Sequence, residues 1–292
     1  MGQHQPRILV TGASGQLGSL VIDHLLKNTS AEQIAAIVRT RSKAGGLLAH
    51  GISVFEADYT KPETLDSAFV GVDRLLLISS NELGGGRFPH HRNVIEAAKR
   101  AGVKLLAYTS LLHADVSPLG LAIDHRQTEA ALRASGIPFV VLRNGWYTEN
   151  NTAFIPAALA HGVLLGSAGE GQISAAARED YAEAAATVLT SGEDQAGRVY
   201  ELAGDEAYTL SEFVAEVARQ SGKSVSYRNL PEAEFKAALV GAGLPEALAA
   251  LLADSDTGIS KAALFDGSHQ LSRLIGRPTT PLAASVAAAL KN

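Results

Sequence analysis

Apolar residues follow two different periods along the first half of the chain. Short runs of consecutive apolar residues are typical of strands buried on both faces of a parallel sheet. Between these runs, apolar residues recur three and four positions apart, as on one face of a helix. The predicted strands begin with an apolar run from Ile8 and continue over residues 34–39, 53–59, 74–80, 104–110 and 138–144. Six strands alternating with helices predict an α/β architecture with a doubly wound parallel sheet.

Capping and turn residues mark the helices between these strands. Thr60 and Glu63 have the spacing of a capping box, in which each side chain binds the backbone N–H of the other residue. Two further helices are predicted over residues 89–100 and 121–134, and a glycine follows closely after each. The right-handed crossovers that such units adopt give the Rossmann topology.

The second half of the chain has a different rhythm. Helices are predicted over residues 150–161 and 179–189, a glycine-rich hairpin over 162–174, and strands over 198–203 and 224–227. Short amphipathic helices follow from Leu210 onward. The first domain is therefore expected over residues 1–148, with residues 175–204 returning to its sheet, and a smaller, mostly α-helical lobe over residues 149–292.

The first predicted strand ends in a glycine-rich turn. The turn reads Gly12, Ala13, Ser14, Gly15, Gln16, Leu17 and Gly18, and a helical pattern follows it. Gly12 permits a sharp turn, Gly15 permits backbone N–H groups to approach a pyrophosphate, and Gly18 permits close packing of helix on sheet. The N-terminus of that helix directs unpaired N–H donors at the anion. Any strand-to-helix turn favours glycine, but a strand before and a helix after favour a dinucleotide site.

The end of the second strand distinguishes the two nicotinamide dinucleotides. An acidic residue about 20 residues beyond the glycines binds the ribose hydroxyls of NAD, whereas this chain has Arg39 there. A guanidinium can pair with the 2′-phosphate of NADPH in a forked geometry. The alternative is a solvated basic loop, because Arg41 and Lys43 follow closely. The missing carboxylate favours NADPH as the cofactor.

Two other strand ends supply further candidate cofactor contacts, since ligands of such sheets bind at the carboxyl ends of the strands. Asp58 and Tyr59 end the third strand, where the adenine is expected. Ser79 and Ser80 end the fourth strand, beside the central ribose and the phosphates. The loop of three glycines at residues 84–86 could cover the cofactor or could simply connect two elements.

Composition narrows the functional classes. Of 292 residues, 46% are hydrophobic and 19% are charged, as in ordinary globular proteins. A net charge of −5 without a basic run disfavours nucleic acid as a partner. The absence of cysteine excludes disulfides, thiolate zinc sites and a cysteine nucleophile. We expect no metal site, because the side chains of the adjacent His90 and His91 should diverge. Without a signal peptide or a membrane-spanning run, a cytoplasmic protein is expected.

The proton-donating pair of ordinary short-chain dehydrogenases is missing from the sequence. Those enzymes use a tyrosine and a lysine four residues later, and none of the 7 tyrosines here has that lysine. His125 and Glu129 stand at this spacing instead. The pair could relay protons, but such pairs are commonly contacts on a helix surface, and we expect the latter. Interconversion of alcohols and ketones is therefore disfavoured, as is sugar-nucleotide epimerisation.

Several segments resemble a known family. Residues 12–18, 37–39, 57–59 and 71–73 resemble the NmrA-like atypical short-chain dehydrogenases/reductases. Residues 75–80, 107–115, 142–147 and 200–205 are similar to the flavin-free bacterial NAD(P)H:quinone oxidoreductases of type 2 in that family. The cofactor-binding half of the chain is also similar to that of the triphenylmethane dye reductases. The matching segments span nearly the whole chain.

The resemblance implies an NADPH-dependent quinone reductase. It implies NADPH in an extended pose, a quinone docked against the nicotinamide in a cleft between the lobes, and direct two-electron hydride transfer. It places residues 12–18 and Arg39 on the phosphates of the cofactor. Four residues are implied at the nicotinamide and quinone end: Asn144, Gly145, Trp146 and Tyr147.

Candidate residues for chemistry also have structural explanations. Ser110 and Tyr147 are the candidate catalytic residues, because each could hydrogen-bond the quinone. Ser110 could instead cap a backbone group, and Tyr147 and Trp146 could simply pack as aromatic rings. Asn144 could fix the nicotinamide carboxamide or could stabilise a turn.

Two other functions stay open at this point. Some NmrA-like proteins bind the dinucleotide without turnover and signal through partner proteins, and a dye reductase would use a similar cofactor half. The similarity of residues 143–147 to the quinone reductases favours the enzyme. The expected partner is a small-molecule quinone, and the sequence is compatible with a homo-oligomer.

Overall fold

A computed structural model describes residues 7–83 and 86–291. The strands of this part are β1 (Ile8–Val10), β2 (Ile34–Val38), β3 (Ser53–Glu56), β4 (Arg74–Leu77), β5 (Leu105–Leu111), β6 (Phe139–Asn144), β7 (Val163–Gly166), β8 (Val199–Leu202) and β9 (Ser226–Asn229). The helices are α1 (Gln16–Leu26), α2 (Gly45–Ala49), α3 (Arg87–Ala101), α4 (Ala122–Ser135), α5 (Thr148–Thr152), α6 (Ile155–His161), α7 (Arg178–Thr190), α8 (Leu210–Ser221), α9 (Glu232–Gly241), α10 (Glu246–Ile259), α11 (Gln270–Ile275) and α12 (Leu282–Ala289).

The main sheet has seven parallel strands in the order β3-β2-β1-β4-β5-β6-β8. The chain moves outward from β1 through β2 to β3 and then returns to β4 on the other side of β1. This reversal creates a switch point between β1 and β4, where the carboxyl ends of two neighbouring strands carry loops that diverge. The predicted α/β fold with a doubly wound parallel sheet is confirmed.

Consecutive apolar residues form the strands because both faces of the sheet are covered. All residues of β1, β2 and β5 are buried. Leu9, Leu75 and Tyr108 belong to one buried cluster, to which α3 contributes Val94 and Ile95. The predicted helices over 89–100 and 121–134 correspond to α3 and α4, and the glycine after α3 adopts a left-handed conformation.

The capping box predicted at Thr60 and Glu63 is wrong. The carboxylate of Asp58 accepts hydrogen bonds from both the backbone N–H and the hydroxyl of Thr60, each at 2.8 Å. Thr60 is therefore held in a turn, and a 3-10 helix begins only at Pro62. A complete capping box lies at the start of α8 instead, between Thr209 and Glu212.

The hairpin predicted over residues 162–174 is also wrong. β7 pairs in parallel with β9, which lies about sixty residues further along the chain. β9 overlaps the strand predicted over 224–227. A parallel pair cannot be joined by a tight turn, so the glycines of this segment serve other local turns.

The chain folds into two compact units. The first unit contains the described part of residues 1–111, together with Asp124–Arg143 and Tyr181–Tyr200. The second unit contains Leu112–Ile123, Asn144–Asp180 and the described residues from Glu201 onward. The domain boundary expected at residue 148 stays a prediction. Among the described residues, none of the helices has the combined length and apolar character that a bilayer crossing requires.

Candidate cofactor and active site

The glycine turn after β1 has the geometry of a phosphate-binding turn. Gly12 has a φ of +61°, which favours glycine because a Cβ is strained there. A methyl group on Gly18 would overlap the carbonyl oxygen of Gly12, so α1 could not lie as close to the turn with any larger residue. The N–H of Gly15 donates to that same carbonyl at 2.9 Å and closes the turn.

The N-terminus of α1 lacks a side-chain cap. Gly15 occupies the N-cap position without a side-chain hydrogen bond, and no acidic residue lies in the first turn. The first N–H groups of a helix have no partners within the helix, and its dipole favours an anion there. Ala13 and Leu17 are buried, whereas Ser14 and Gln16 are exposed beside these donors. This cradle fits the pyrophosphate of a dinucleotide.

Two arginines after β2 differ in their partners. The guanidinium of Arg41 donates to the Val54 carbonyl at 2.9 Å. The side chain of Arg39 is exposed and, within residues 7–83 and 86–291, makes no hydrogen bond. Arg39 is therefore available to an added phosphate, while Arg41 is engaged with the end of β3.

The pKa of the nearby Asp58 is lowered, mainly by the hydrogen bond from the Thr60 N–H and further by the charges of Lys61 and Arg39. Asp58 is thus a carboxylate at neutral pH and half-buried. Tyr59 donates its hydroxyl to the Ile78 carbonyl at 3.2 Å, which ties the end of β3 to the segment after β4. Burial raises the pKa of Tyr59.

The segment after β4 is held by side chains that the sequence did not single out for this role. Thr11 donates its hydroxyl to the Leu76 carbonyl and accepts from the Ile78 N–H, each at 3.0 Å. The N–H of Ser79 donates to the Thr109 hydroxyl at 2.9 Å. The N–H of Ser80 donates to His91 Nε2 at 2.8 Å. These bonds fix the switch point, and threonine or histidine at a strand or helix end gives little sequence signal for such a role.

A buried polar cluster lies behind this segment in the first unit. Because His91 Nε2 accepts from Ser80, its proton is on Nδ1, which lies 2.8 Å from the Thr128 hydroxyl. The Tyr108 hydroxyl lies 2.7 Å from His125 Nδ1. Burial lowers the pKa of both His91 and His125 to about 3 and raises that of Tyr108, so all three rings are neutral.

The expectation that His125 and Glu129 form a surface pair is wrong. Their exposed fractions are 3% and 1%, because this face of α4 lies against the sheet. Arg143 on β6 donates to both oxygens of Glu129, at 3.0 and 2.8 Å. Ser110 donates its hydroxyl to the same carboxylate at 2.7 Å. The hydroxyl hydrogen of Ser110 is thus directed at Glu129, and its oxygen can accept a further hydrogen bond.

The predicted nicotinamide-end residues belong to the second unit. The backbone of Asn144 and Gly145 is held by Leu112 and Leu202, at 3.0 and 2.7 Å. The side-chain oxygen of Asn144 is buried and has no hydrogen-bond partner in the described part of the chain. Buried polar atoms are nearly always paired, so an N–H donor from a ligand, such as a carboxamide, would fit this oxygen.

The two aromatic residues after Gly145 are held by polar partners. Trp146 Nε1 donates to Asn151 Oδ1 at 3.0 Å. The Asn144 amide lies 3.5 Å from the Tyr147 hydroxyl. The Arg178 guanidinium lies 4.9 Å from the centre of the Tyr147 ring, as in a cation–π contact.

The candidate residues thus fall into two groups. Residues 12–18, Arg39, Asp58, Tyr59, Ser79, Ser80 and Ser110 lie in the first unit, and residues 144–147 lie in the second. Within the first unit, hydrogen bonds link the ends of β1, β3 and β4. Gly84 and Gly85 of the predicted covering loop lie outside the described residues.

Comparison with known proteins identifies the family. A family model for NAD(P)H-binding proteins matches residues 12–192. The chain belongs to the NAD(P)H-binding, NmrA-like family. The resemblance expected from the sequence motifs is therefore confirmed, and the glycine turn lies at the start of the matched region.

Two enzymes, one of them compared both as a sequence and as a crystal structure, are similar to this NmrA-like chain over nearly its whole length. It is 59% identical to quinone oxidoreductase 2 of Escherichia coli over 279 residues, which cover 96% of this chain and 97% of the relative. It is similar to the crystal structure of the Escherichia coli NADPH-dependent quinone oxidoreductase complexed with NADPH, with a TM-score of 0.95, 58% identity and coverage of 98% and 100%. It is also similar to the Citrobacter triphenylmethane reductase complexed with NADP(H), with a TM-score of 0.92, 40% identity and coverage of 97% and 99%.

Proposed function

We propose that this protein is an NADPH-dependent quinone reductase that transfers two electrons directly to a quinone without a flavin. The observation that carries the proposal is the 59% identity to a quinone oxidoreductase over 96% of the chain. The TM-score of 0.95 to the NADPH complex of such an enzyme supports the same function. The proposed substrate is a small-molecule quinone, and the proposed location of the protein is the cytoplasm.

The described residues fit NADPH at several points. In this proposal, the glycine turn and the uncapped start of α1 bind the pyrophosphate. Arg39 binds the 2′-phosphate, since its guanidinium is exposed and makes no hydrogen bond in the described structure. The unpartnered oxygen of Asn144 accepts from the nicotinamide carboxamide. NADPH, when bound, supplies a hydride from its nicotinamide ring.

The surroundings of the acceptor need little acid–base chemistry. A quinone accepts a hydride readily, and water can protonate the reduced oxygen. The positions that hold tyrosine and lysine in other short-chain dehydrogenases carry His125 and Glu129, which are buried and paired with Tyr108 and Arg143. Ser110 and Tyr147 are proposed to orient the quinone by hydrogen bonds. The rings of Trp146 and Tyr147 are proposed to exclude water from it.

The similarity to a triphenylmethane reductase supports dye reduction as a second candidate. The test is the oxidation of NADPH, followed by its absorbance, with a simple benzoquinone, with a triphenylmethane dye and with no acceptor. We expect the benzoquinone to give the larger kcat/KM, without any added flavin. A larger kcat/KM for the dye would favour the second candidate. Binding of NADPH without turnover of either acceptor would contradict both and favour a regulatory protein.

A further inference from the structure

The second unit contains a largely apolar cavity. Its volume of about 360 Å³ lies in the range of roughly 300–1,000 Å³ that is typical of small-molecule sites. Its apolar wall comes mainly from α6, α9, α10 and β7 and includes Leu164, Phe235, Leu239 and Leu252, together with Phe154 directly before α6. Phe235 and Leu239 belong to a small buried cluster, so this wall is part of the core of the second unit.

The amide and carboxylate side chains on the wall of this cavity have partners in the fold, and the remaining ionisable side chain of the lining, His161, is exposed. Asn150 accepts from Arg178 at 2.9 Å, and Asp256 accepts from the Ser167 N–H at 2.9 Å. Asn151 accepts from the indole of Trp146 and donates to the Tyr208 hydroxyl at 3.1 Å. These bonds hold the three polar side chains in place, and most of the remaining wall is apolar, so the cavity favours an apolar occupant.

Trp146 connects this cavity with the segment proposed to hold the quinone. Its indole lines the cavity and is fixed by Asn151. Tyr147 follows it directly and is proposed to bind a quinone oxygen. The cavity therefore lies next to the proposed site of the quinone ring and could receive a substituent of that ring.

We propose that the cavity binds the apolar side chain of the quinone, so that the preferred acceptors are quinones with an alkyl or prenyl chain. The inference rests on the proposed function and names its substrate class. The cavity volume of about 360 Å³ leaves room for an apolar chain of several carbon atoms. Transfer of the apolar chain from water into the cavity is favourable. Hydride transfer to the quinone ring instead requires a specific orientation of the ring.

The first test is a series of benzoquinones that differ only in an n-alkyl chain, from methyl to decyl. Burial of each methylene should raise kcat/KM by roughly two- to fourfold. We expect the gain to level off near the length that fills the cavity. Equal kcat/KM values along the series would overturn the proposal.

A matched pair of variants locates the effect. Ala238 lines the cavity, and the neighbouring Ala237 on α9 is exposed and does not. For each variant, the measured quantity is the ratio of kcat/KM for the decyl quinone to that for the methyl quinone. Ala238→Phe should bring this ratio close to one, and Ala237→Phe should keep it. A ratio that survives in Ala238→Phe, or that falls equally in Ala237→Phe, would place the chain elsewhere.

A binding measurement separates this inference from the proposed function. Trp146 is the only tryptophan in the sequence, so its fluorescence reports on the cavity without turnover. Decanol should change the emission in a saturable manner in the wild type and only weakly in Ala238→Phe. Decanol binding without turnover of any quinone would show an apolar ligand site but would reject the reductase and, with it, the quinone side chain as the occupant. Turnover of methyl quinone without a chain-length effect or decanol binding would keep the reductase and reject the assignment.

Discussion

At the scale of single residues, we propose that Arg39 determines the choice of dinucleotide. Arg39→Asp replaces an exposed guanidinium with a carboxylate that repels the 2′-phosphate. A charge-assisted hydrogen bond contributes about 1.5–3 kcal/mol, so the Kd for NADPH should rise by roughly tenfold to a hundredfold, while the Kd for NADH should rise much less. Titration of both dinucleotides measures this. Arg41→Gln is the control, because its guanidinium binds the Val54 carbonyl. An unchanged NADPH affinity in Arg39→Asp would remove Arg39 from the site.

Ser110 tests whether a side chain supplies the proton. Its hydroxyl hydrogen is donated to Glu129, and Glu129 keeps both bonds from Arg143 when that hydroxyl is removed. Ser110→Ala should therefore lower kcat by about tenfold or less, because water can protonate the reduced quinone. A dedicated general acid contributes roughly 10²–10⁴-fold. A thousandfold loss in steady-state kcat, restored by Ser110→Thr, would assign that role to Ser110.

The burial of Glu129 could not be predicted from the sequence around it. Periodicity treats a charged residue as solvated, and His125 four residues earlier offered an ordinary helix-surface pair. Glu129 is buried because Arg143, on a different element, donates to both of its oxygens. A buried charge needs such a partner, and one sequence does not show which distant arginine faces it.

At the scale of elements, variants of the β1–turn–α1 unit distinguish effects on the fold from effects on NADPH binding. Gly15 has an extended backbone conformation that any residue adopts, and a Cβ there would lie 3.2 Å from the Gly12 carbonyl oxygen. Gly15→Val should therefore keep the fold with a modest loss of stability, but its side chain should block the pyrophosphate. Thermal unfolding should stay cooperative, and NADPH titration should show no binding. Retained NADPH binding by a folded Gly15→Val variant would contradict the placement of the phosphates.

Gly18→Ala provides the contrast, because its methyl group meets the Gly12 carbonyl rather than open space. This variant should lose stability even without NADPH. Equal stability of Gly18→Ala and wild type would mean that α1 does not need the close approach to the turn.

The buried strands were predicted well because runs of consecutive apolar residues mark them directly in the sequence. β2 and β5 appear as apolar runs because both faces of the sheet are covered, and their ends differ by only a few residues from the predictions. The pairing of β7 with β9 was missed because the two strands lie far apart in the sequence. The capping box predicted at Thr60 was wrong because the backbone N–H and the hydroxyl of Thr60 bind Asp58, two residues earlier, instead.

At the scale of the whole molecule, buried titratable groups in the two units give opposite pH dependences. Burial lowers the pKa of His91 and His125 in the first unit to about 3. Below about pH 6.5 these histidines take up protons in the unfolded chain but not in the folded protein. Their contribution to the free energy of unfolding is therefore present above that pH and is lost as the pH falls. Burial raises the pKa of Asp256 in the second unit to about 6. Its contribution to the free energy of unfolding is present below about pH 4 and is lost as the pH rises through 6.

His125→Gln should flatten the acid limb of this dependence. A glutamine amide can donate to or accept from the Tyr108 hydroxyl but cannot be protonated. Between pH 6.5 and 4, each buried histidine contributes a slope of up to about 1.4 kcal/mol per pH unit to the free energy of unfolding. Urea unfolding at several pH values measures the slope, with the exposed His50→Gln as control. An unchanged slope in His125→Gln would mean that this ring takes up protons in the folded state.

Asp256→Asn tests the opposite limb in the second unit. Asparagine keeps an acceptor for the Ser167 N–H and removes a charge that forms in a largely apolar cavity as the pH rises. The variant should therefore be more stable than the wild type at pH 8, by up to roughly 3 kcal/mol, and nearly equally stable at pH 4. Urea unfolding at both pH values gives the difference, and Asp254→Asn on the same helix controls for the loss of one carboxylate. A gain of the same size at both pH values would point to better packing rather than to titration, since only the ionised form of Asp256 carries the cost of burial.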